Sequence, residues 1–166
     1  MNPTMTTVDT TIHAFRTVKL HRTRSAVYFP MPTPIDCMRF ALQELIEWDD
    51  CLLRKERPEY RRNNGREHDA QHELGQAGYM IASSLLGSFN DVEIARLAYT
   101  GSRTARWAHL VATCANSLTV PGYDLFPPFA HDALYLWVRL VNDEGVDPLA
   151  LLRDVAQGID AKWDWR

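Results

Sequence analysis

The chain has 166 residues, 46% of them hydrophobic and 23% charged, with a formal net charge of −3 at pH 7. That length suits one domain that buries its core without disulfides, and the acidic balance argues against stable nucleic-acid binding, which needs a positive excess. No apolar run has the length of a signal-peptide core or a membrane span, so no membrane association is expected.

Three cysteines, Cys37, Cys51 and Cys114, form no C-x-x-C pair and leave an odd count. This fits a reducing compartment, and a cytoplasmic location is the expectation.

Residues 1–34 read differently from the rest. Partial alternation through Ile12, Ala14, Val18 and Leu20, then the apolar run Ala26-Val27-Tyr28-Phe29, suggests short strands or an extended, β-like N-terminal arm. The alternative is a poorly ordered tail. Pro30-Met31-Pro32-Thr33-Pro34 then punctuates the chain as a stiff, Pro-rich linker.

A helical domain is expected over 35–166. Thr33 is a candidate N-cap and Pro34 a first-turn residue, and Ile35, Met38, Leu42, Leu45, Leu52 and Leu53 recur at helical spacing. Pro58 and Asn63-Asn64-Gly65 should end that helix. A second helix is expected from about 67 to 86, with Ala70, Leu74, Ala77, Ile81 and Leu85 on one stripe. Asp91 is a candidate cap for a short helix through Tyr99. Further helices are expected over about 103–118, 128–142 and 148–162, the last opened by Asp147-Pro148. Helices joined by short loops point to an all-α bundle.

Chemistry-bearing residues gather on the first two helices of that domain. Glu44, Glu47 and Asp50 follow at i,i+3 steps, and Asp69, Glu73 and Gln76 share one side of the next helix. Carboxylates brought together repel unless a cation neutralises them, and oxygen ligands suit Mg²⁺ or Mn²⁺. The plainer reading of the same residues is a solvated acidic face.

The segment Leu42-Gln43-Glu44-Leu45-Ile46-Glu47, followed after an interval by Glu73-Leu74-Gly75-Gln76, resembles the motif of the MazG-like all-α nucleoside triphosphate pyrophosphohydrolases. That family carries E-E-x-x-E on one helix and E-x-x-D on the next. Glu44, Glu47 and Glu73 match three acids of the pattern, while Gln43 and Gln76 stand where acids are expected. The segment Glu73-Leu74-Gly75-Gln76-Ala77-Gly78-Tyr79-Met80 is similar to the family's small-residue helix, in which close helix approach is needed. The resemblance spans about residues 36–86 and, loosely, the C-terminal helix.

It implies a MazG-like bundle, a homo-oligomer, a nucleotide substrate and Mg²⁺ (or Mn²⁺) as cofactor. Glu44, Glu47 and Glu73 would be catalytic metal ligands, with Gln76 in the place of the motif's last acid; by spacing alone, Asp69, one turn before Glu73, is a candidate to supply the missing charge. The activity implied is release of pyrophosphate from a nucleoside or deoxynucleoside triphosphate.

Between the two helices lies a basic stretch with Arg54, Arg57, Arg61 and Arg62, residues able to hold phosphate oxygens in bidentate fashion. Trp48 is a candidate base-stacking residue. A solvated, charge-balanced loop and a packed aromatic are the ordinary alternatives.

Two rival functions remain. Loss of acids at Gln43 and Gln76 suits a catalytically silent module that binds a nucleotide or a protein partner. His68-Asp69-Ala70-Gln71-His72 places two histidines at i,i+4, a variant of a zinc-hydrolase motif without a clear third ligand. Trp107, Tyr135 and Trp137 are expected in the core, and Trp163 and Trp165 at a subunit contact.

Overall fold

A computed structural model describes residues 5–26, 32–60, 69–94, 97, 101–120, 122 and 126–163. Among these there are six α-helices and no strand: α1 Thr7–Ser25, α2 Pro34–Glu56, α3 Ala70–Ser83, α4 Arg103–Thr119, α5 Phe126–Asp143 and α6 Pro148–Trp163. The all-α expectation holds.

The expected extended arm does not. Thr6 caps α1 by accepting from the Asp9 backbone N–H at 3.1 Å, and the Asp9 carboxylate in turn accepts from the Thr6 backbone. This reciprocal capping satisfies two donors that a helix start would otherwise leave open. The residues α1 buries include Thr11, Ala14, Phe15, Val18, His21 and Ser25, a stripe of period near 3.6, whereas Leu20 is 76% exposed. α1 packs on α3, α5 and α6, so it belongs to the bundle. Residues 27–29 of the apolar run and the linker residues Pro30 and Met31 lie outside the described residues.

α2 opens as expected, with Thr33 Oγ1 accepting from the Asp36 N–H at 3.2 Å and Pro34 in the first turn. It buries Cys37, Met38, Ala41, Leu45 and Trp48. Ile35 and Leu53, expected on the inner stripe, face water instead. Of the short helix expected from Asp91 through Tyr99, the described residues form a 3-10 turn, Asp91–Glu93, capped by Asn90, and residues 95–96 and 98–100 lie outside the described residues. α6 opens where Asp147 accepts from the Leu149 N–H at 2.9 Å.

α3 is the central element, packed against α1, α2, α5 and α6. Its glycines make this possible. A methyl group on Gly78 would lie 2.1 Å from the Trp137 ring, and one on Gly75 would lie 2.9 Å from Val155 of α6. Trp137 is fully buried and donates its indole N–H to the Leu74 carbonyl at 2.8 Å, pinning α5 to α3. Trp107 does the same from α4 to the Leu45 carbonyl of α2, at 2.7 Å.

A polar network ties α1 to the far side of α3. The Tyr79 hydroxyl lies 2.5 Å from His21 Nδ1, and His21 Nε2 lies 2.9 Å from the Asp160 carboxylate. Arg24 closes the set on Asp160 at 2.8 Å, and the Arg22 guanidinium lies over the Tyr79 ring. These buried polar atoms are satisfied, which is what allows His21 to occupy an apolar stripe.

Candidate metal centre

α2 and α3 run antiparallel: Glu44 reaches Gln76, while Cys51, further along α2, feels the charge of Glu73, nearer the start of α3. The acidic edge of α2 therefore meets the first turns of α3. Side-chain oxygens of Glu44, Glu47 and Glu73 come within 4.8 Å of one another. Glu73 is 3% exposed, Glu44 half-buried and Glu47 exposed, so the cluster grades from the interior to the surface.

Burial, a hydrogen bond with Glu73 and the nearby charges of Glu73 and Glu47 push the Glu44 carboxyl up to about 8. Glu44 thus keeps its proton near neutral pH, the usual response of a carboxyl held close to other acids in a poor dielectric. The Gln76 amide, in the orientation that satisfies its neighbours, donates N–H to both Glu44 oxygens at 3.1 Å. Its carbonyl oxygen accepts from His72 Nε2. The result is a chain from exposed His72 through Gln76 and Glu44 to buried Glu73. The i,i+4 spacing of His72 and Gln76 is visible in the sequence, but the hydrogen bond between them is not.

The donor set fits a hard dication. Carboxylate oxygens within 4.8 Å need only a small side-chain adjustment to reach the about 4.2 Å that separates opposite ligands of Mg²⁺. Glu44, Glu47 and Glu73 would hold it, and displacement of the Glu44 proton would turn mutual repulsion into ligation. Gln76 can offer its amide oxygen only by giving up its contact with His72.

The other expected site residues are placed differently. Asp69 is the N-cap of α3 and accepts from the Gln71 N–H at 3.0 Å. It is not a member of the three-carboxylate cluster. Asp50 grips Arg54 in a fork pair at 2.7 and 3.0 Å, and a third Arg54 N–H donates to the Tyr60 carbonyl. Arg54 is thereby fixed on the rim beside the acids, with three of its donors already used. Arg57 lies 3.8 Å from Glu59. Arg61, Arg62 and His68 lie outside the described residues.

Trp48 is 2% exposed and part of the core, so it presents no face to a ligand. The spacing that puts Glu44 and Glu47 toward α3 turns Trp48 inward, to the side of the helix that buries Ala41 and Leu45. Trp107, Tyr135 and Trp137 are core or core-flanking, as expected. The three cysteines form no disulfide. Burial pushes the Cys37 thiol up to about 11 and Cys114 to about 12, so neither is a nucleophile at neutral pH.

A separate groove of about 410 Å³ lies between α1 and the turn after α3, lined by Phe15, Arg16, Lys19 and Phe89 among others. It contains none of the acidic cluster. The acids sit on an open helix–helix rim.

No protein-family model matches the chain, and neither does any curated protein or solved structure.

Proposed function

We propose that the chain is a Mg²⁺- or Mn²⁺-dependent nucleoside triphosphate pyrophosphohydrolase of MazG-like type. The observation that carries this reading is the convergence of Glu44, Glu47 and Glu73 from two antiparallel helices, with Glu73 buried. A solvated acidic face has no reason to bury one carboxylate and force another to keep a proton at neutral pH.

The bound dication would neutralise triphosphate charge and lower the cost of ionising a water. Within the chain, Glu73 and Glu44 are the fixed members, held by burial and by the Gln76 amide. The oxygen of exposed Glu47 that does not hold the cation would accept the proton of the attacking water. Oxygen bonds to the α-phosphorus, the α–β bridging bond breaks, and pyrophosphate leaves. Arg54, immobilised by Asp50, sets a positive edge for the phosphates beside this rim.

The test is pyrophosphate release from a panel of ribo- and deoxynucleoside triphosphates with Mg²⁺ or Mn²⁺. Activity in the native chain that is lost in Glu47→Ala and Glu73→Gln supports the reading. No release from any nucleotide with either metal removes it.

A second reading, a silent nucleotide- or partner-binding module, draws on one observation. Gln76 spends its amide on Glu44 and His72 where a fourth acid would bind metal. Nucleotide binding without turnover would favour it. The zinc reading keeps His72, exposed beside the cluster, as its one described ligand. Elemental analysis of the purified chain for zinc decides that case.

A further inference from the structure

α2 packs on α3 and α4 with the side that carries Met38, Leu45 and Trp48. Its outer side carries a second stripe: Ile35, Arg39, Leu42, Ile46, Asp49 and Leu53, at alternating steps of four and three. That spacing keeps side chains on one seam of a helix pair. Ile46 is 55% exposed, Leu53 44% and Ile35 41%, and Leu42 is half-buried. Ile35, Ile46 and Leu53 face water, and half-buried Leu42 lies among them at the edge of the core, an unusual exposure on a helix whose other side already fills the core.

The order of the stripe is self-complementary. Laid antiparallel on itself about the level of residue 44, Ile35 meets Leu53, Leu42 meets Ile46, and Arg39 meets Asp49. Each contact then occurs twice, as a two-fold interface requires. A parallel pairing would set Arg39 against Arg39 and Asp49 against Asp49, so charge selects the antiparallel arrangement. Among the described residues, Arg39 makes only an exposed 3.5 Å contact with Asp36 of its own helix, and Asp49 has no ion-pair partner.

We propose that this face of α2 is the two-fold interface of a homodimer, α2 packing antiparallel on the α2 of a second copy. The seam from residue 35 to 53 is about 27 Å long. An interface built on one helix of that length sits at the small end of specific contacts, so micromolar dissociation is expected. Glu44 lies about 200° around the helix from Ile46. The inference therefore does not depend on the cation site, and either can fail without the other.

Sedimentation equilibrium over a concentration series tests it. The native chain should rise from 19.0 kDa toward twice that mass. Ile46→Glu should remain at 19.0 kDa with unchanged helicity and Tm, since the position faces water. Arg39→Asp and Asp49→Arg should each weaken association about tenfold, because each places like charges opposite one another twice. The double variant should recover to near the native value. A native chain that stays at 19.0 kDa at hundreds of micromolar overturns the proposal, as would be found if another part of this chain covers the stripe. So does a dimer that survives Ile46→Glu, or a double variant no stronger than the single ones.

Discussion

Glu44 concentrates the physical chemistry of the site in one carboxyl. Its folded value, about 8, lies above the ordinary 4.5. The folded chain therefore keeps a proton that the unfolded chain releases across that interval. Stability contributed here is complete below about pH 4.5 and is lost as pH rises toward 8, levelling beyond. Half-exposure screens the effect, so a drop of a few degrees in Tm is expected. Glu44→Gln should flatten that part of the Tm profile, and millimolar Mg²⁺ should offset it by replacing the proton. A profile that neither Glu44→Gln nor Mg²⁺ changes would mean that Glu44 does not hold a proton near neutral pH. At the same scale, Cys37 and Cys114 should resist thiol reagents at neutral pH until denaturant is added, leaving at most Cys51 to label.

The residues of the cluster were legible because helical spacing fixes which side chains share a face. What each neighbour does with its hydrogen bonds was not. Gln76 could be read as a weak ligand, but nothing in the sequence shows its amide held between Glu44 and His72. Trp48 and Glu47 are adjacent and point to different sides, so the choice between ligand and core rested on where α3 lies, a tertiary fact.

At the scale of elements, α3 shows how small residues position chemistry. Gly78→Ala should cost about 3 kcal/mol or more, because the methyl meets a rigid buried indole with no room to yield. Gly75→Ala presses only on the side chains of Val155 and Leu151, and the helix propensity gained, about 1 kcal/mol, offsets part of the strain. Urea denaturation of both variants checks the contrast. Equal losses would mean that Trp137 shifts without penalty. The need for close approach was readable from Gly75 and Gly78; which helix approaches was not.

α1 was misread for a definable reason. Its buried stripe mixes Ala14, Phe15 and Val18 with Thr11, His21 and Ser25, so counting apolar residues alone finds only a broken alternation. The Thr6/Asp9 capping pair carried the missing signal, and Thr6→Ala should cost about 1 kcal/mol.

For the whole molecule, the bundle is closed by its first helix. Phe15 and Val18 enter the same core as α5 and α6, and His21 joins Tyr79 to Asp160. A chain lacking residues 1–25 should lose cooperative unfolding, as followed by circular dichroism. A truncated chain with native Tm would restore the view of this segment as a dispensable arm.

That closure matters for the site, because α3 holds Glu73 in place only while its other faces are packed. The most direct test is a calorimetric titration of the native chain with Mn²⁺ at pH 8, beside Glu47→Ala and Glu73→Gln. One site per chain with millimolar or tighter affinity, lost in both variants while their helicity is kept, is the expected result. No heat from the native chain, or the same binding in all three, would contradict the assignment of Glu44, Glu47 and Glu73 as a cation site.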